Sequence, residues 1–123
     1  YNDHCALFLV KVAGIPPPNV PEKYINEADS IFTSVVEISN VIRNDNKSNQ
    51  GYYPYYIMKI FDCILPENNY EWRRILYFIH VQRKETIETN DIEWEQICAI
   101  LKHPKIKYRP TERDFNLKYN ILN

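Results

Sequence analysis

Glycine is scarce in this sequence, whose 123 residues include only 2 glycines against 8 prolines. Because glycine supplies the positive-φ positions of tight β-hairpins, a fold built from many hairpins is disfavoured. Hydrophobic residues nevertheless make up 45% of the chain, which is enough to build a packed core. A chain of this length and composition favours one compact domain rather than a disordered tail.

Paired cysteines are also missing. Cys5, Cys63 and Cys98 lie far apart, and the sequence contains no CxxC pair. Neither a zinc ribbon nor a disulfide framework is therefore supported. We expect reduced, mostly buried thiols that pack in the core rather than act as nucleophiles, a state that suits the cytosol or the nucleus.

No catalytic or metal-binding constellation can be recognised in the sequence. The three histidines (His4, His80 and His103) have no regular metal-ligand spacing, and the carboxylates are scattered. No glycine-rich phosphate loop is present. We therefore expect that this chain is not an enzyme, that it carries no metal or cofactor, and that it has no small-molecule substrate.

An excess of charge of one sign and a long apolar run are both absent. Lys and Arg number 15 and Asp and Glu 16, for a net charge of -1. No overall field therefore attracts nucleic acid, and such binding needs a local basic patch. No apolar run approaches the roughly 20 residues of a membrane span, so we expect no membrane partner. No signal peptide is visible, and because the chain opens on Tyr1 rather than Met, we expect it to be part of a longer protein.

Helical periodicity interrupted by prolines is the main positive signal. Residues 3–12 form a short apolar stretch, a helix or a strand, that must end at the GIPPP run of residues 14–18. Apolar residues then recur at three- and four-residue steps from Pro21 to about residue 43, which predicts a long helix. The polar residues 44–51 predict a loop.

Three further helices are predicted along the rest of the chain. They run from Pro54 to Pro66, from about Tyr70 to Gln82, and from either Arg83 or Asn90 to Lys102. The fold expected from these elements is an all-α, compact bundle of about five helices with an irregular, proline-containing C-terminal tail, which we expect to dock through Ile106 and Tyr108. We assign residues 1–111 to the helical domain and residues 112–123 to a flexible or partner-docking tail.

The last predicted helix carries an apolar stripe that includes one charge. Trp94, Ile97, Cys98 and Leu101 occupy positions i, i+3, i+4 and i+7, so we expect Trp94 to be largely buried. Asp91 lies on the same stripe and needs a partner, because unpaired burial of a charge is costly. The candidate cations are Arg74, Arg83 and Lys84.

Several motifs occur together in one order: GIPPP at 14–18, YYPYYI at 52–57, KETI at 84–87, then Asp91, Trp94 and IC at 97–98, and PT at 110–111. In this order the chain resembles, over residues 1–111, the C-terminal part of the viral late transcription factor 3 family of poxviruses and other large nucleocytoplasmic DNA viruses. Two features depart from the family. The metal ligands of its upstream zinc ribbon are absent here, and Lys102 and His103 stand where the family tends to have Gly-Trp.

The resemblance implies a non-enzymatic domain that binds DNA, RNA polymerase components or other transcription factors at late promoters. It implies a zinc ribbon upstream of this chain, and a location in the host cytoplasm (the viral factory), the nucleus or the virion. The alternative is a structural helical docking module of a larger protein assembly or virion.

Two groups of residues are candidates for contact with partners. Cations alternate with an aromatic residue near the C-terminus, a pattern that suits phosphate contact and base stacking, whereas the alternative is an ordinary solvated tail. An exposed tyrosine-rich face would instead favour protein docking. The nucleic-acid candidates are Arg73, Arg74, Arg83, Lys84, Lys102, Lys105, Lys107, Tyr108 and Arg109, centred on Lys105, Lys107 and Arg109. The protein-docking candidates are Tyr52, Tyr53 and Tyr55.

Overall fold

The computed structural model describes residues 20–43, 53–78 and 84–111. Within these ranges the chain forms helices and no strand, which confirms the predicted all-α fold. The helices are α1 (Glu22–Ile42), α2 (Tyr53–Ile64), α3 (Tyr70–Arg73), α4 (Ile75–Phe78) and α5 (Lys84–Leu101). The predicted element at 3–12, the loop at 44–51 and the tail at 112–123 lie outside the described residues, as do Tyr52, Arg83 and the side chain of Lys84.

Helix α1 begins directly after Pro21, as the sequence predicts. The carbonyl of Pro21 accepts a hydrogen bond from the backbone N–H of Tyr24 at 3.0 Å. Proline suits this position because the first backbone nitrogens of a helix have no partner within it. One stripe of α1 is buried, and it packs against both α2 and α5. The buried residues are Ala28, Ile31, Phe32, Val35 and Ser39.

Helix α2 lies at the centre of the bundle and is buried on nearly all sides. Helix α1 covers one side of it, α4 contacts it, and the rings of Tyr55 and Tyr56 contact Trp94 of α5. A helix enclosed in this way has to be apolar all round. Its buried residues include Ile57, Ile60 and Phe61. The exception is Lys59, whose charge is buried with them.

The single helix predicted from Tyr70 to Gln82 is wrong in one detail, because α3 and α4 are separate short helices that meet at Arg74. The side chain of Asn69 caps α3 by accepting a hydrogen bond from the backbone N–H of Trp72 at 3.0 Å. Arg74 has a φ of -60° and a ψ of -19°, so the helical path tightens there toward a 3₁₀ turn.

Helix α5 begins at Lys84, which decides between the two predicted starts. Trp94 and Ile97 are completely buried, while Cys98 and Leu101 are partly buried against the core. The burial predicted for Trp94 is confirmed. None of the helices in the described ranges combines the length and the apolar character that a bilayer crossing requires.

Residues after α5 form an irregular segment that returns to the core. Ile106 is buried in the main apolar cluster, as predicted for a docked tail. Tyr108 was expected to dock beside it, but 37% of its surface is exposed. The prediction of a segment anchored by both residues is therefore only half right, and the ring of Tyr108 remains accessible.

Lys102 ends α5 in a left-handed backbone conformation with a φ of 51°. Its backbone N–H still donates to the carbonyl of Cys98 at 3.1 Å. A residue with a Cβ atom is strained in this conformation, and glycine is not.

Replacing Lys102 with glycine is expected to raise the free energy of unfolding by about 1 kcal/mol, because it relieves the left-handed strain. Lys102→Val should lower it, since a β-branched residue fits this conformation worst. Urea titrations of both variants measure the difference. Equal stability of the two variants would contradict the assigned backbone conformation.

Candidate nucleic-acid interface

Asp91 is the centre of a buried polar network that joins α5, α2 and the C-terminal segment. Its carboxylate accepts hydrogen bonds from the Tyr55 hydroxyl at 2.5 Å, from the Thr111 backbone N–H at 2.9 Å and from the Thr111 hydroxyl at 2.6 Å. The Nζ atom of Lys59 lies 4.0 Å away. Among the described side chains, Asp91 forms its salt bridge with Lys59. The sequence analysis had named Arg74 as one of three candidates, and this candidate is wrong. The other two, Arg83 and the side chain of Lys84, lie outside the described residues.

Lys59 connects the same network to the backbone of the C-terminal segment. Its Nζ atom donates to the carbonyl of Arg109 at 2.7 Å and to the hydroxyl of Thr111 at 3.2 Å. Burial lowers the pKa of Lys59, and the negative charge of Asp91 opposes that shift. Lys59 and Asp91 therefore fasten residues 109–111 to the helical bundle.

A second network lies around the Tyr56 hydroxyl. It donates to Glu93 Oε1 at 2.6 Å, so the hydroxyl of Ser39, 2.5 Å away, supplies the other proton. Glu93 also pairs with Arg43, whose Nε atom lies 2.6 Å from Oε2. The contacts join α1, α2 and α5. Burial and the neighbouring carboxylate raise the pKa of Tyr56 to about 12, and burial and Asp91 raise the pKa of Tyr55 above its usual value.

The raised pKa values of Tyr55 and Tyr56 predict that the protein loses stability in alkaline solution. Above about pH 10, the tyrosines of the unfolded chain lose protons, whereas Tyr55 and Tyr56 of the folded chain keep theirs. Each group then lowers the free energy of unfolding by about 1.4 kcal/mol per pH unit. The lowered pKa of Lys59 acts in the opposite direction below about pH 10.4, because there the unfolded chain binds the extra proton.

Urea titrations between about pH 10.5 and 11.5 measure the effect of Tyr56 by difference, because Lys59 no longer opposes the decline there and the half-buried thiols of Cys63 and Cys98 contribute equally to each variant. Tyr56→Phe should make the decline of stability shallower by about 1.4 kcal/mol per pH unit, since one titrating phenol is gone. Tyr70→Phe is the control, because Tyr70 is exposed. Equal slopes for the wild-type protein and Tyr56→Phe would show that this phenol does not titrate as its burial requires.

Arg73 lies in the interior and not on the surface assigned to it by the sequence. It forms an ion pair with Asp62 and donates to the carbonyl of Leu65 at 3.0 Å. Arg109 contacts the same carboxylate at 3.3 Å and Glu67 at 3.2 Å. Arg73 therefore has no role in the basic surface, and the charge of Arg109 is partly balanced.

The remaining basic candidates differ in whether a carboxylate of the domain pairs with them. Lys105 forms a bidentate contact with Glu27, at 2.9 and 3.2 Å. Lys102, Lys107 and Arg74 are exposed, and no salt bridge of theirs is found within the described ranges. Of the predicted centre at Lys105, Lys107 and Arg109, only Lys107 is exposed and outside the salt bridges of the described residues. Lys102 has the same two properties.

Lys102 and Lys107 line a groove between the last turns of α5 and the segment that follows. Its volume is about 480 Å³. The other lining residues are Glu95, Cys98, Ala99, His103, Ile106 and Tyr108. Lysine ammonium groups, an aromatic ring and an apolar floor therefore occur in one groove, and this combination can bind an anion with an aromatic group attached.

Of the tyrosines proposed for protein docking, Tyr53 and Tyr55 face the core instead, and Tyr52 lies outside the described residues. Tyr55 is buried, and Tyr53 packs its ring edge-on against Phe32 at a centroid distance of 5.3 Å. They do not form an exposed face. The large apolar residues that α5 exposes are Ile92 and Ile100, with 65% and 56% of their surfaces accessible. No sequence signal marks these two residues, because they lie off the main apolar stripe of α5.

The cysteines of the described ranges are half-buried. Burial raises the pKa of Cys98 to about 12 and also raises the pKa of Cys63, whose Sγ atom lies 3.5 Å from the carbonyl of Lys107. Both thiols are therefore protonated near neutral pH, and a protonated thiol is a poor nucleophile. Across residues 20–43, 53–78 and 84–111, no group of three potential ligands is placed to hold a metal ion.

Comparison with known proteins places these residues in a family. Residues 1–108 match the model of the family described as Poxvirus Late Transcription Factor VLTF3 like. The chain is 44% identical over 112 residues to the zinc finger protein B385R of African swine fever virus, in the Kenyan pig isolate and in the Pretoriuskop tick isolate. The match covers 91% of this chain and 29% of each relative.

No solved structure matches the chain. The match to the family model covers most of the sequence, and it includes Lys59, Asp91 and Trp94, whose side chains hold the bundle together. Its resemblance to the late transcription factor 3 family is thereby confirmed. The chain belongs to the poxvirus late transcription factor VLTF3-like family.

Proposed function

We propose that this domain is a non-enzymatic part of a viral late transcription factor and that it contacts late-promoter DNA through the groove at the end of α5. The observation that carries the proposal is the pair of exposed lysines, Lys102 and Lys107, beside the exposed ring of Tyr108. The family is one of transcription factors, so DNA and viral-type RNA polymerase are the partners that fit. The host cytoplasm, in a viral factory, or the nucleus is where it would act.

The charge distribution sets the expected strength of this contact. The net charge is -1, and Lys105 and Arg109 are engaged by carboxylates of the domain itself. Two or three phosphate contacts remain, from Lys102, Lys107 and Arg74. For duplex DNA they correspond to a logarithmic salt slope of about -2 to -3, so binding is weak and sensitive to salt.

Fluorescence anisotropy with labelled duplex DNA at low and moderate salt tests the proposal. The double variant Lys102→Gln/Lys107→Gln should weaken binding to all sequences alike and flatten the slope by about 2. Lys105→Gln is the matched control, because its ammonium already pairs with Glu27, and it should change the slope little. Absence of binding to any DNA at low salt would reject the proposal.

The second candidate, a helical docking module of a larger assembly, has support from Ile92 and Ile100. Exposed apolar side chains on one helix are typical of protein contacts. This candidate predicts that Ile92→Ser and Ile100→Ser together abolish binding to purified viral-type RNA polymerase and leave DNA binding unchanged. Intact polymerase binding by the double variant would exclude this surface.

We also propose that this domain folds without metal and that the zinc implied by the family lies in another part of the full-length protein. The relatives carry the name zinc finger protein, and the chain spans 29% of their length. A helical circular dichroism spectrum that is unchanged after chelation supports this assignment, whereas loss of the helical signal would contradict it.

A further inference from the structure

The groove at the end of α5 has two chemically different ends. Glu95 of α5 and Lys102, directly after its end, both line the groove, and a separation of seven residues along the helix places them about 10 Å apart. The carboxylate of Glu95 repels phosphate, while the ammonium groups of Lys102 and Lys107 attract it. A ligand that fits both ends carries a negative charge at one side and hydrogen-bond donors at the other.

The apolar part between these ends suits a base that has left the stack. Ala99 and Ile106 line the groove together with the ring of Tyr108, which is 37% exposed. A DNA duplex offers lysines its phosphates, but its stacked bases cannot reach an aromatic ring in a groove. An unpaired base can stack on such a ring and leave its edge free for hydrogen bonds.

We propose that this groove binds single-stranded DNA, with one unpaired base stacked on Tyr108 and the adjacent phosphates on Lys102 and Lys107. The inference rests on the proposed DNA-binding function and adds the form of the DNA. Glu95, which lines the same groove as Tyr108, accepts a hydrogen bond from an exocyclic amino group of this base, as carboxylates do from cytosine. Cytosine is therefore bound in preference to thymine, which has no amino group.

The backbone of Lys102 supports the same assignment. This residue keeps a φ of 51° at the position where glycine would be free of strain. A side chain retained in a strained conformation is a common feature of binding sites. The side chain of Lys102 lines the groove and carries a positive charge, which a glycine at this position would not supply.

Anisotropy with the full 123-residue chain and labelled oligomers of about 12 nucleotides tests the inference. The probes are oligodeoxycytidine, oligothymidine, oligocytidine RNA and a mixed-sequence duplex. Oligodeoxycytidine should bind more tightly than the other three. Tyr108→Ala should weaken its binding about 5- to 100-fold, while Tyr108→Phe, which keeps the ring, should bind like the wild-type protein.

Matched variants separate stacking from folding and from general charge. Tyr70→Ala removes another exposed tyrosine and should leave binding unchanged. Glu95→Gln should reduce the preference for cytosine over thymine. An unchanged melting temperature for Tyr108→Ala shows that its loss of binding is not unfolding.

The possible failures of the two proposals are distinguishable. If the protein binds duplex DNA but Tyr108→Ala leaves its affinity for single strands unchanged, this inference is wrong and the proposed function stands. Tighter binding of the RNA oligomer than of its DNA counterpart would overturn the assignment to DNA. Absence of binding to every probe at low salt would overturn both proposals.

Discussion

Trp94→Ala is expected to lower the free energy of unfolding by about 3–5 kcal/mol. The indole of Trp94 is completely buried, and its ring lies 6.3 Å from that of Tyr55 and 6.4 Å from that of Tyr56, centroid to centroid. Truncation leaves a cavity where α2 and α5 meet, and a bundle of this size cannot close it fully. Urea titration followed by circular dichroism measures the change.

Two further variants show whether packing is the cause. Within the described ranges, the indole Nε1–H of Trp94 has no hydrogen-bond partner. Trp94→Phe therefore sacrifices no hydrogen bond and should cost much less than Trp94→Ala. Gln96→Ala lies on the exposed side of the same helix and should change stability by less than about 0.5 kcal/mol. A loss for Trp94→Phe as large as that for Trp94→Ala would show that filling the cavity is not what matters.

Asp91→Ala should be about as damaging, with a loss of about 3–5 kcal/mol, because it leaves the charge of Lys59 buried without a carboxylate. The hydroxyl of Tyr55 and the backbone N–H of Thr111 lose their acceptor as well. Residues 109–111 should then detach from the bundle. Denaturant titration gives the total cost, and amide hydrogen exchange at Thr111 reports the local release.

A double-mutant cycle separates the ion pair from the other bonds of Asp91. Lys59→Met keeps the length of the side chain and removes its charge, so Asp91→Ala should cost less in that background. The expected coupling is about 1–3 kcal/mol. Glu95→Ala, which removes an exposed carboxylate from the same helix, serves as the control. Additive costs of Asp91→Ala and Lys59→Met would show that the two side chains do not interact.

The local elements of the fold could be predicted from the sequence because their signals lie within a few residues. Pro21 marks the start of α1, and the spacing of Trp94, Ile97 and Cys98 marks the inner face of α5. Both depend on the pitch of a helix and on the backbone geometry of proline. The division between α3 and α4 could not be predicted, since nothing in the residues around Arg74 breaks a helix.

The partners of charged residues could be decided only by the tertiary structure. From the sequence, Asp91 needed a cation and Arg73 belonged to a basic surface. Asp91 instead meets Lys59 and Thr111, while Arg73 meets Asp62 in the interior. Such pairs form between residues distant in sequence, because helix packing brings them together, and no periodicity along the chain carries that information.

The candidate site could also be predicted from the sequence only in part. Its residue types could be read from the alternation of cations and an aromatic ring after α5, since composition is a local property. Which cations remain available depended on carboxylates far away in the chain, Glu27 for Lys105 and both Asp62 and Glu67 for Arg109. Local sequence signals therefore specify α1, α2, α5 and the character of the basic segment. Packing decided which charges are neutralised, because neutralisation requires contact in space.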